Sequence, residues 1–363
     1  MASSVFRAYD DRSLMREGVM SGTVLVSVII KALNEERHIR ACIESALAAL
    51  ANLPGEVILA DSGSIDATVA IASEYPIRII QLSNPTLRRC GIGPQLGYQA
   101  ARGDYIYVLD GDMELDPLVL ERGLLALCAD PDLAGVAGLV EEMSAENLQF
   151  RGRKERGAEA RPGLCRWLDM GGLYRREAID GVGYLSNRNF HSCEEQELGL
   201  RLSANGWRMR RLSWPGVRHY GHTEPTFALQ RKRMRSGYLC GPGEMLRASL
   251  GKPWFGEVIR VHRHLLVTLA LWLVLVAGIL VFPFTAVPLL GWGIALAIMF
   301  VNRALRYRSL GDAAAVLLLW HVDSLWMLRG FLRRAVDPLK PIPARTLSSG
   351  ADSRPLRASG ERS

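Results

Sequence analysis

The chain has 363 residues, room for one large α/β domain plus an appendage, and its 49% hydrophobic and 22% charged residues are high for a soluble enzyme yet far from a polytopic membrane protein. The formal net charge of +7 comes mostly from arginines clustered at 151–166, 230–235, 260–263, 303–308 and 329–334. No RNA- or DNA-binding motif accompanies these clusters, which argues against a nucleic-acid partner and for anionic lipid, pyrophosphate or lipid-phosphate groups. The six cysteines are scattered without CxxC pairs and read as reduced thiols, not a disulfide frame or a zinc site.

Residues 1–22 are polar and carry both charge signs, with no apolar core of signal-peptide type, so a flexible, non-exported segment is expected. The β-branched run 24–30 predicts a buried first strand. Asn34-Glu35-Glu36 then predicts a helix through 51, with Asn34 as its N-cap and acids in its first turn. Strands are expected at 56–60, 77–81 and 104–109, with helices over 67–73 and closing at 98–102. This alternation predicts an α/β fold, a doubly wound and mostly parallel sheet binding ligands at the carboxyl ends of its strands. Glu35, Asp61, Asp110 and Asp112 fall at those ends. The charged, Gly-rich segment 139–166 reads as a mobile loop, and the Ser/Arg/Pro-rich stretch 341–363 as a disordered tail.

Four constellations carry chemistry. Asp61-Ser62-Gly63-Ser64-Ile65-Asp66 follows a strand directly. Its acids suit a base edge or ribose hydroxyls, but an ordinary turn with Asp66 capping the next helix fits equally. Asp110-Gly111-Asp112 ends an apolar strand and can hold Mg²⁺ or Mn²⁺, the remaining ligands being pyrophosphate oxygens and water. Glu194-Glu195-Gln196-Glu197 starts a helix, where acids suit the dipole; adjacent carboxylates also repel, lifting one toward general-base range. Gln230-Arg231-Lys232-Arg233 is a basic stretch whose Gln230 and Arg233, one turn apart, suit a diphosphate or acceptor, or simply an interfacial helix. His219 and His222 are candidate metal or phosphate ligands, or structural histidines.

Taken in order, these motifs resemble the family 2 inverting glycosyltransferases of GT-A fold over about 24–237. Val28-Ile-Ile-Lys-Ala-Leu-Asn-Glu-Glu36 resembles the opening strand and Asn-Glu turn, implying nucleotide contacts at Ala32, Asn34 and Glu35. Asp61, Ser62 and Asp66 match the nucleoside-binding motif, and Asp110-Gly-Asp112 the metal motif, with Asp110 also facing the nucleotide. Gly171-Gly172-Leu-Tyr resembles the segment before the acceptor site. Glu194-Glu195 stands where the family has Glu-Asp, which implies Glu195 as base; Gln230-Arg-Lys-Arg-Met234 resembles Gln-x-x-Arg-Trp. Met234 in place of tryptophan argues against a processive polymer channel. The family's Ala-Arg-Asn segment is Gly93-Pro94-Gln95 here, so its basic role has passed to Arg88 or Arg89, or is lost.

Between Leu265 and Val301 there is no Asp, Glu, Lys, Arg or His, and Phe282 to Pro288 interrupts the run. Arginines flank both ends. A hairpin over 265–301 with both ends cytosolic follows, in the inner membrane. An amphipathic region at 227–264 precedes it. Residues 302–340 then hold a cytosolic loop and an interfacial or third membrane helix at 313–332. With a GT-A domain at 23–226, the reading is metal-dependent transfer of one sugar from a UDP- or GDP-linked donor to a lipid-linked saccharide, in bacterial polysaccharide or glycolipid synthesis. The rivals are a polyprenyl-phosphate sugar synthase, which needs no carboxylate base, and a catalytically silent membrane scaffold.

Overall fold

The structure, a computed structural model, describes residues 25–144, 146–156, 161–169, 171–282 and 285–349. The expected flexible segment 1–22 and the end of the expected tail, from 350 on, lie outside these residues. The chain divides into two units. One comprises the chain up to Asn189, Glu194–Thr223 and everything from Val336; the other comprises Phe190–Cys193 and Glu224–Ala335.

In the first unit, β1 (Val26–Ala32), α1 (Ile39–Ala49), β2 (Gly55–Asp61), α2 (Thr68–Ala72), β3 (Arg78–Leu82), α3 (Ile92–Ala100) and β4 (Tyr105–Asp110) alternate as the hydrophobic pattern predicts. Their strands are parallel in the order β3-β2-β1-β4. Val26, Val28 and Ile30 point into one apolar layer and Ile29 into the other. The two-residue period therefore puts Lys31 on the Ile29 face. Next come β5 (Met113–Leu115), α4 (Val119–Ala129), β6 (Leu133–Glu142), α5 (Leu148–Arg156), β7 (Gly163–Cys165), β8 (Gly172–Arg175), α6 (Arg176–Gly181), α7 (Glu194–Ala204) and β9 (Arg208–His219). These strands extend the sheet from β4 as β8-β6-β9-β5 with mixed direction: β6 and β9 are parallel, and the other pairs along this path are antiparallel.

Three local expectations are corrected. Asn34 is not an N-cap: it sits at φ 59°, and α1 begins only at Ile39, after His38. Its side-chain oxygen instead accepts from Ile65 N at 2.9 Å, tying the loop after β1 to the loop after β2. The segment 139–166 holds the end of β6, α5 and β7, because β9 supplies partners for both strands. The supposed tail forms β10 (Ala344–Ser349), antiparallel to β3, where the sheet would otherwise present an unpaired edge.

The second unit contains α8 (Thr226–Ser236), α9 (Gly241–Ala248), α10 (Phe255–Val281), α11 (Val287–Tyr307) and α12 (Leu310–Leu332). The last three are long and apolar enough to cross a membrane. The expected hairpin is thus longer than 265–301: α10 starts ten residues earlier, through Glu257 and Arg260, and α11 continues to Tyr307. Leu273, Leu280, Ile294 and Ile298 are mostly exposed, a surface that lipid would cover and water would not tolerate. In α12, Asp323 accepts from Gln230 Nε2 at 2.6 Å, and Trp326 Nε1 donates to Met234 O at 3.2 Å.

Candidate active site at the strand ends

The loops after β1 and β2 form one interlocked wall. Asp61 is fully buried and accepts from Gly63 N at 2.9 Å, Ser64 N at 3.0 Å and Gln81 Nε2 at 2.8 Å. Gly63 needs its φ of 88° for this turn, a conformation that costs other residues a Cβ clash. Asp66 accepts from Thr68 N and Glu36 N. Those bonds from Thr68 and Glu36 outweigh the cost of burial and hold its carboxyl below the usual range. Thr68 Oγ1 in turn accepts from Glu35 N at 2.8 Å, and Ser62 N donates to Ala32 O at 2.9 Å. Every residue expected on the nucleoside side from these two loops is therefore gathered here, with Asp61 shaping the turn.

Arg88, one of the two arginines to which the family's basic role could have passed, reaches the same wall. It donates to the carbonyls of Ser62 and Gly63, a clasp on the turn. Arg89 donates to Leu87 O at 3.0 Å. Behind Asp61, the oxygen of Gln81 accepts from Arg345 Nε at 2.9 Å, so β10 buttresses this wall. Neither Gln81 nor Arg345 carried a sequence signal.

Asp110 ends β4 and Asp112 follows across Gly111, whose backbone N–H bonds Lys31 O at 3.0 Å. A Cβ on Gly111 would come within 2.9 Å of Glu35 Cγ, so glycine is required by packing. His219, at the end of β9, places Nε2 3.5 Å from Asp112 Oδ2 and Nδ1 2.8 Å from Glu142 Oε1. Burial opposes a charge on His219, but the bonds to Asp112 and Glu142 raise its pKa to about 9. His222 stands edge-on to Phe150 with ring centroids 6.3 Å apart, and its charge acts on Asp112 alongside that of His219.

Among the described residues no group of three or more His, Cys, Asp or Glu is assembled as a ready metal cage. Two carboxylates beside a carboxylate-oriented imidazole nevertheless fit a cation whose other ligands are phosphate oxygens and water, the usual mode for Mg²⁺. A structural zinc site is not what these donors form.

The acidic pair sits at the start of α7. Glu195 lines a recess with Asp110, Gly171, Gly172, Ser186 and Glu194. A residue the sequence reading passed over joins them: Lys31 Nζ lies 2.9 Å from Glu195 Oε1, 3.0 Å from Asp110 Oδ1 and 3.3 Å from Glu194 Oε1. Its signal was a lysine ending an otherwise apolar strand. Burial and the Glu195 charge raise Glu194 to about 7. Burial pushes Glu195 up as well, but the attraction and hydrogen bond of Lys31 outweigh it and hold that carboxyl low. One carboxyl of the pair is lifted, as the repulsion of neighbours predicts, but it is Glu194; Glu195, the base that the resemblance implied, is the one held low.

Gln230 and Arg233 belong to the second unit. Gln230 bonds Asp323, and the Arg233 guanidinium lies 4.7 Å above the Tyr238 ring.

Residues 27–179 match the model for glycosyl transferase family 2. The match is to this segment, less than half of the chain. It takes in almost all of β1, every element from there through β8, most of α6 and the Asp110-Gly111-Asp112 turn, while the Glu194-Glu195 pair lies beyond. The chain is 29% identical over 196 residues to the succinoglycan biosynthesis protein ExoA of Rhizobium meliloti, covering 50% of this chain and 59% of that one. It is 33% identical over 100 residues to a dodecaprenyl-phosphate galacturonate synthase of Rhizobium johnstonii, covering 25% and 29%. The chain spans about a third of the length of most of the curated relatives it matches. A mannosyltransferase from Pyrobaculum calidifontis, solved with GDP-Man and Mn²⁺, superposes with a TM-score of 0.52 at 18% identity, covering 83% of this chain and 87% of that one. That likeness agrees with the GT-A fold expected from the sequence.

Proposed function

We propose that this family 2 chain transfers one sugar, with inversion, from a UDP- or GDP-linked donor to a lipid-linked saccharide. The observation that carries this reading is that Asp110, of the metal motif, and Glu195, of the acidic pair, bond to one ammonium in one recess. In this scheme the wall made by Asp61 and Asp66 receives the nucleoside. Asp110, Asp112 and His219 would hold Mg²⁺ or Mn²⁺, which offsets the charge developing on the leaving diphosphate. Glu195 accepts the proton of the acceptor hydroxyl while the acceptor oxygen bonds the anomeric carbon; the bond from that carbon to the diphosphate oxygen breaks, and its electron pair leaves with the nucleotide. Glu194, protonated, keeps a second negative charge away from that base. The apolar helices would anchor the chain in the inner membrane with the sheet on the cytosolic side, and Gln230 and Arg233 would meet the acceptor's anionic headgroup.

The test is a screen of detergent-solubilised protein against UDP- and GDP-sugars with released diphosphate as readout. Wild-type turnover that drops at least ~100-fold in Asp112→Ala and Glu195→Gln supports the scheme; equal rates in wild type and variants end it. The similarity to a dodecaprenyl-phosphate sugar synthase favours one rival, in which a lipid phosphate is itself the nucleophile. That reaction needs no base, so a Glu195→Gln variant that keeps wild-type rate and forms a sugar phosphodiester would select it.

A further inference from the structure

We propose that Lys31 is a positioning residue that fixes Glu195 relative to Asp110, an inference resting on the transfer reaction proposed above. Lys31 holds the Asp110-Gly111-Asp112 turn twice: its carbonyl accepts from Gly111 N at 3.0 Å, and its ammonium pairs with Asp110 Oδ1 at 3.0 Å. The same ammonium reaches across to the start of α7, to Glu195 Oε1 at 2.9 Å and Glu194 Oε1 at 3.3 Å. An ammonium has three protons, and three carboxylate oxygens lie within reach of them. No donor remains for a substrate oxygen, so Lys31 acts through these carboxylates and not on the reacting atoms.

The side chain is also confined. Its head is mostly buried, and α3 passes so close that a Cβ on Gly93 would stand 3.1 Å from Lys31 Cβ. A confined stem with a fixed head gives Glu195 one orientation: Oε1 is held by Lys31, and Oε2 is left to take the acceptor proton. Glu195 and Asp110 come from elements 84 residues apart in sequence, with no covalent geometry to set their spacing. Lys31 supplies that spacing. α3 carries Gly93-Pro94-Gln95 beside it and brings no charge of its own at these positions.

A purely structural counter-ion would affect folding alone, so the test separates chemistry from nucleotide binding. Wild type, Lys31→Met and Lys31→Arg are assayed for diphosphate release from the active donor, and titrated calorimetrically with UDP or GDP plus Mn²⁺. Lys31→Met should lose at least ~100-fold in kcat while its nucleotide affinity stays within threefold or tightens; Lys31→Arg, keeping the charge, should recover part of the loss. Removing the cation from one buried and two half-buried carboxylates can unfold the protein. The pair Glu194→Gln and Lys31→Met/Glu194→Gln covers that case, and the double variant should again fall ~100-fold below the single one. Unchanged kcat in Lys31→Met, or equal losses of kcat and nucleotide affinity, overturns the proposal. Wild-type inactivity on every donor instead overturns the transfer reading beneath it.

Discussion

Gln81 donates to Asp61 at 2.8 Å, and Asp61 is fully buried, so this amide neutralises part of a carboxylate that water cannot reach. The other end of Gln81 is held by Arg345. Gln81→Leu should therefore weaken UDP or GDP binding about tenfold, consistent with ~1.5–3 kcal/mol for a lost hydrogen bond to a charged group. Arg345→Ala, which removes only the outer support, should cost about two- to threefold. Calorimetry on both variants checks the order; an Arg345→Ala loss larger than that of Gln81→Leu would contradict it.

Asp112 Oδ2 lies 3.5 Å from His219 Nε2, and both belong to the cation site proposed above. Chelation with EDTA should abolish calorimetric nucleoside diphosphate binding, and Mn²⁺ should restore it. Asp112→Asn should weaken Mn²⁺-dependent binding at least ~30-fold with an unchanged melting temperature. Metal-independent binding of the same strength in wild type would show that the carboxylates serve another purpose.

Glu194 makes stability depend on pH in a defined direction. Its folded pKa is about 7 against an ordinary 4.5, so the folded chain holds this proton more tightly than the unfolded one. The associated stability is complete below pH 4.5 and is lost as the pH rises through 7. Glu194→Gln keeps the uncharged form at every pH. The melting temperature of this variant, relative to wild type, should therefore climb between pH 5 and pH 8. A difference that stays flat across that window refutes the assignment.

Arg201 anchors the helix that carries Glu195. It pairs with Glu197 at 2.8 Å, both side chains being almost wholly buried, and its guanidinium lies 3.8 Å from the Tyr184 ring centroid. Removing one partner strands the other charge, at a cost of about 3–5 kcal/mol. Arg201→Ala should accordingly show a large loss in denaturant midpoint, whereas Arg208→Ala, on the exposed Asp132 pair, should be near neutral.

The acidic stations at strand ends were legible because strand periodicity and carboxylate position can both be read locally. Asp110 follows an apolar run, and Glu194 opens an amphipathic helix. Lys31 escaped because its meaning depends on Glu195, far along the chain; a lone lysine after valines and isoleucines reads as a strand terminus. Asn34 misled for a similar reason. Its residue type suits an N-cap, but a partner in the next loop, Ile65, outcompetes the helix for its side chain. β10 was illegible because Ala344-Arg-Thr-Leu-Ser-Ser349 is polar and borders the sheet; an edge strand facing water needs no apolar pattern. The structured part of 139–166 was hidden in the same way, its charge masking strands whose partner comes from β9.

The return of the chain as β10 sets a parity rule for the helices before it. The polypeptide leaves the sheet unit after Thr223 and rejoins it at Val336, pairing with β3. A folded sheet occupies one side of a bilayer, so the excursion between those points must cross an even number of times. Three helices are long and apolar enough to cross, and an odd count is forbidden. We expect α12 to be the helix that lies flat, because its Asp323 and Trp326 already bond to the charged helix α8. Single cysteines along α12 should react with an impermeant thiol reagent from the sheet's side of sealed vesicles, and none should react from the other.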